Sequence, residues 1–140
     1  MFSLFGNSRE EQMKKDLLVF LAEMEKNLEF YYVMDQRQFI THGFLTDFWP
    51  KVRDFESIKK YQSILTYGKA IEDFNNAYKT YKDFETWYTS DVNNKTPENS
   101  KKLHALKHGL DHKVQEMESI IILAGQDLER EMLNLGLLKT

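Results

Sequence analysis

Three histidines stand one helical turn apart late in the chain, His104, His108 and His112, and Glu116 continues the series. Residues four apart share one face of an α-helix. Two imidazoles so placed can hold one divalent cation such as zinc, as helical zinc sites do. All three cannot, because eight residues of helix separate the outer pair by ~12 Å. A metal would take His104 with His108, or His108 with His112, and find its other ligands in Glu116, another helix or another chain. The helical arithmetic counts against a site within one chain. The apolar stripe of this segment faces one way, and His108 and His112 fall nearly opposite it, where water is expected. Three solvated histidines are the plainer reading, and a pH-sensing face is a further one.

Other chemistry finds less support. A two-metal carboxylate centre in a helical bundle needs Glu-x-x-His pairs, and the positions three before the four histidines are Phe39, Lys101, Ala105 and Gly109. The acids Glu25, Glu29, Glu72, Asp73, Asp127 and Glu131 mostly flank apolar stripes. The chain has no cysteine, which excludes disulfides, thiolate metal sites and a cysteine nucleophile. It has no Gly-rich phosphate loop, nucleophile elbow or HExxH. The reading is non-enzymatic, and no motif is specific enough to name a family.

The histidines ride on the most regular segment of the chain. Thr96, Pro97 and Glu98 read as an N-cap, a first-turn proline and a first-turn acid. From Leu103 through Leu106, Leu110, Val114, Met117, Ile121, Ala124, Leu128 and Met132 to Leu135, apolar residues recur every three or four positions. Gly136 then ends the helix. Earlier, Leu17, Leu21, Met24, Leu28 and Tyr31 form a coiled-coil-like seam in a helix over about 8–41, capped by Ser8. Ile64, Tyr67, Ile71, Phe74, Tyr78, Tyr81 and Tyr88 mark another over about 55–89, a tyrosine-rich seam suited to a bundle core near the surface. Residues 91–95 are a polar loop.

Between the first two helices lies FLTDFWPKVRDF, with Asp47 and Asp54 as candidate caps. Its aromatics Phe44, Phe48, Trp49 and Phe55 are expected to plug the end of the bundle. A small-ligand site gripped by these four is the sharper alternative.

Composition sets the frame. A chain of 140 residues is one domain, 1–140. With 41% hydrophobic and 29% charged residues it is a globular composition. A net charge of −3, with Lys14-Lys15, Lys59-Lys60 and Lys101-Lys102 each diluted by nearby acids, gives no electrostatic reason to expect nucleic acid. The beginning of the chain lacks a signal-peptide pattern, and its tip of Phe2, Leu4 and Phe5 has no basic partner that would favour a membrane surface. No apolar run approaches the ~18 residues of a membrane span. Cytoplasmic is the default.

Helices of ~35 residues are about 50 Å long, too long for a sphere of this mass, so an all-α elongated antiparallel bundle of three long helices follows. An up-down-up order places 30–34, 64–67 and 120–124, the most apolar parts, at one height. Three helices shield only inward stripes, which leaves Tyr32, Ile122 and Leu123 as interface residues of a homodimer or a contact for a protein partner. The competing expectation is that residues 44–55 fold over Ile122 and Leu123.

Overall fold

A computed structural model of the chain describes the backbone at residues 2–37, 40 and 42–138, and side chains over 9–35, 40 and 42–138. It is an all-α bundle of three long helices with no strand among the described residues. The elements are α1 (Phe2–Arg37), α2 (Trp49–Val52), α3 (Glu56–Lys59), α4 (Gln62–Ser90) and α5 (Pro97–Asn134), with one 3-10 turn at Val92–Asn94. The C-terminal punctuation acts as expected. Thr96 Oγ1 accepts from the Asn99 N–H at 3.1 Å, and Gly136 has φ +74°, the left-handed conformation that stops α5.

Earlier boundaries differ from expectation. The α1 backbone is helical from Phe2, so Ser8 is not its cap. Its described end is Arg37, and the expected end at Thr41 lies outside the described residues. The helix expected over 55–89 is two: α3 stops at Lys59 and α4 starts at Gln62. The break sits at Tyr61, whose backbone is extended and whose hydroxyl donates to Glu131 on α5 at 3.1 Å. Neither Asp47 nor Asp54 caps a helix. The N-cap positions of α2 and α3 are Phe48 and Phe55, without side-chain caps, and the Phe48 N–H donates to Glu23 of α1 at 3.1 Å.

Contacts between helices set their directions. Tyr61 and Ser63 at the start of α4 bond Glu131 and Asp127 near the end of α5, while Tyr81 faces Asp111. On α1, Leu21 and Leu28 line a groove with Ile121 and Glu129, while Tyr31 faces Glu118. α5 thus runs antiparallel to both α1 and α4, and α1 and α4 run the same way. The chain between them travels back along the bundle. The result is an up-down-up-down arrangement whose second member is a return segment, residues 42–61, instead of a long helix. As in any four-membered bundle, α5 and the return segment sit on opposite sides. An up-down-up order of long helices is replaced by this one, and residues 30–34 face the level of Glu118 instead of Ile122.

The core follows the predicted stripes of α4 and α5. Ile64, Tyr67, Ile71 and Phe74 are buried, as are Leu110, Val114, Met117, Ile121, Ala124, Leu128 and Met132. α1 departs from its predicted seam. Its buried line is Leu17, Phe20, Met24, Asn27, Tyr31 and Met34, with Glu23 beside it, and Leu21 and Leu28 are only half-buried against α5. Two neighbours, α5 on one flank and the return segment on the other, widen the arc of α1 that is covered.

Candidate functional site

The side of the bundle that holds the return segment is closed, and polar contacts close it. Asn27, fully buried, donates to the Leu45 carbonyl at 3.0 Å and accepts from the Leu45 N–H at 2.8 Å. Asn75 on α4 does the same to Phe44: its Oδ1 accepts from the Phe44 N–H and its Nδ2 donates to the carbonyl, both at 2.8 Å. In an extended chain, successive residues turn their amides to opposite sides, so one asparagine from each helix grips one residue. Asn27 also donates to the Tyr67 hydroxyl at 2.7 Å, which ties α1 to α4 across the core. Burial pushes the Tyr67 hydroxyl well above its ordinary value.

Glu23 is the strained member of this cluster. Its Oε2 accepts from Phe48, but its buried Oε1 has no partner. Burial raises its pKa, and the nearby Asp47 carboxylate adds to the rise. Glu131, the other buried acid, is satisfied by Tyr61 and by Lys60, whose Nζ lies at 2.7 Å.

These contacts locate the four aromatics considered as a ligand site. Phe44 packs edge-on against Phe74 with centroids 4.9 Å apart. Trp49, only 6% exposed, stacks near Phe20 and lies over Gly68, where an added Cβ would overlap the indole. Phe48 and Phe55 are half-buried against the same core. The segment fills the flank of the bundle instead of plugging its end, and Phe44 and Trp49 present little surface to a ligand.

The opposite side is open. Ile122 and Leu123 are 37% and 53% exposed, because the return segment expected to cover them lies across the core. Ile122 borders an open groove of about 190 Å³ between α1 and α5, and Leu123 borders one of about 340 Å³ between α4 and α5. Tyr32, 43% exposed, stands at the edge of this side, where its hydroxyl meets Glu118 of α5. That carboxylate holds the Tyr32 pKa up.

A pattern unnoticed in the apolar stripes runs through the same face. His108, His112, Gln115, Ser119, Ile122 and Gln126 follow at spacings of four, three, four, three and four, and all six are exposed. That is the heptad spacing of a second seam, directed outward. It contains no Asp, Glu, Lys or Arg, although 29% of the chain is charged. A search for uncharged residues at heptad spacing, instead of apolar ones, reveals it in the sequence.

The histidines lie at one end of this seam. His104, His108 and His112 are all exposed, as the plainer reading expected, and His112 Nε2 stands 3.8 Å from Glu116 Oε1. Among the described residues of one chain, no group of three or more His, Cys, Asp or Glu is placed to hold a metal ion. No helix among them is long and apolar enough to cross a membrane. Comparison of the chain with family models, curated proteins and solved structures returned no match.

Proposed function

We propose that this protein is a cytoplasmic, non-enzymatic helical module whose activity is to associate with a second copy of itself through the outward face of α5. The observation that carries the reading is the uncharged heptad seam from His108 to Gln126, with Ile122 exposed toward its C-terminal end and Leu123 exposed beside it. Interfaces are depleted of fixed charge at their core relative to the remaining surface. The seam positions themselves bring no like charges together in an isologous pair, and the acids Asp111, Glu116 and Glu118 flank them. Tyr32 supplies an aromatic ring at the margin of the contact.

The seam has one large aliphatic side chain, so the pairing is weak and depends on concentration. Light scattering coupled to gel filtration, in chelator, tests it. The mass should rise from 16.7 kDa toward twice that value as the protein is concentrated. Replacing both Ile122 and Leu123 by Glu should hold the chain at the monomer mass with an unchanged helical circular-dichroism spectrum. A wild type that stays monomeric at every concentration, or a double variant that pairs as before, sinks the reading.

A further inference from the structure

We propose that His108 and His112 are half of a divalent-cation site that a second copy completes, so that a zinc-like ion bridges two chains. The inference rests on the self-association reading and names what tightens it. In a parallel two-stranded coiled coil, each seam residue faces its own counterpart. Parallel, in-register pairing of α5 with α5 along the outward seam is part of the proposal, and it brings His108 and His112 of one chain against His108 and His112 of the other. Residues one turn apart have side chains about 5–6 Å from each other, so four imidazoles converge on one point. Four nitrogen ligands in a tetrahedron are what zinc accepts. Two neutral imidazoles per chain leave the ion's charge uncompensated at the centre, and a nearby acid on each copy offsets it.

Glu116 is that acid, and it separates the two possible histidine pairs. It lies 3.8 Å from His112 Nε2, where it can accept from that nitrogen and turn Nδ1 toward the metal, the usual role of a carboxylate behind a ligating histidine. The His104–His108 pair has instead Lys101 one turn before it on the same face, a cation that opposes a second cation. Lys107, Asp111 and Lys113 lie on the flanks of α5. From α4, Lys82 and Glu85 line a pocket with Lys107, on the inner side of that residue.

Gly109 supplies an independent observation. It sits between the two histidines in mid-helix, exposed, with nothing within 4 Å of the place its Cβ would occupy. Glycine in a helix interior is about 1 kcal/mol less favourable than alanine, and no contact among the described residues explains Gly109, nor the equally open Gly125 farther along α5. In the proposed pair, Gly109 leaves room for a second helix backbone beside His108 and His112.

The test uses tag-free protein and zinc chloride as the probe. In chelator the chain should show its weak pairing, and zinc should tighten that pairing by about tenfold or more, with calorimetry giving one zinc per two chains. His108→Ala and His112→Ala should each abolish the zinc response, read as the ratio of pairing with zinc to pairing in chelator for the same variant. His104→Ala should retain the response, and Glu116→Gln should weaken zinc binding by about tenfold. Because the chain has no cysteine, Ser119→Cys reports register: a parallel pair crosslinks 119 to 119 on oxidation. Zinc that leaves the mass unchanged, or a ratio of one zinc per chain, overturns the site. Pairing in chelator with no zinc effect overturns the site and spares the self-association reading. Zinc-dependent pairing lost in His108→Ala, with no pairing in chelator, keeps the site and overturns that reading.

Discussion

Gly68 and Gly109 each interrupt a long helix, and of the two only Gly68 has a reason among the described residues. Gly68 faces the return segment, where the Trp49 indole lies against the bare backbone of α4. No atom of the described residues lies within 4 Å of the place a Gly109 Cβ would occupy. The contrast extends to the two sides on which they stand. Toward the return segment, Asn27 and Asn75 grip main chain and each large ring has a neighbour. On the outward face of α5, a seam of the same helical period has been kept free of charge and left uncovered. The closed side is organised by contacts within one chain, and the open side has no covering surface among the described residues.

The comparison is open to direct attack. Gly68→Ala forces a methyl into the indole and should destabilise the fold by about 3 kcal/mol, the upper range of overpacking, seen as a lowered thermal midpoint. A change near zero would mean that Trp49 has another place to go and that the closed side is looser than described.

Glu23→Gln acts on the same side through pH. Because burial raises the Glu23 pKa, the folded state favours the protonated acid. Its contribution is fully present below about pH 4.3, the unfolded value, and is lost as pH rises through the raised folded value. The variant cannot lose it. Its thermal midpoint relative to wild type should therefore climb between pH 4.5 and pH 7.5. A constant difference across that range would show that Glu23 is not held protonated by its surroundings.

Gly109→Ala should give the smallest effect on stability and the opposite sign, a gain of about 0.5–1 kcal/mol in the monomer. Association should weaken at the same time if a second backbone passes there. Stability and association rising together would remove Gly109 from the argument.

The fold was legible wherever apolar period and capping chemistry coincide. The stripe of α5, its Thr96 cap and its Gly136 stop could be read residue by residue, and so could the core of α4 from Ile64 to Phe74. What escaped was whatever depends on polar groups meeting distant main chain. Asn27 and Glu23 lie on the buried line of α1, but an apolar search passes over them and selects Leu21 and Leu28. The return segment has no period because its extended part is held by side-chain amides, which leave no local signature. Its path also sets the parallel sense of α1 and α4. On the outward side, Ile122 and Leu123 stood out as apolar residues facing the wrong way. The seam that Ile122 belongs to did not, because its other members are histidine, glutamine and serine.

The return segment also has a consequence for the chain as it is made. α4 and α5 are joined by a short loop and can pair as soon as both have emerged. α1 finds only part of its cover nearby: the return segment follows it directly, but its other covering surfaces are on α4 and α5. During synthesis Leu17, Phe20 and Met24 leave the ribosome well before Ile121 and Leu128 do. At ordinary elongation rates, the roughly three quarters of the chain that separates these residues takes roughly 5–20 s. For that interval the face of the first helix that packs on α5 stays uncovered, and the order of translation exposes it to chaperones or to a neighbouring nascent chain.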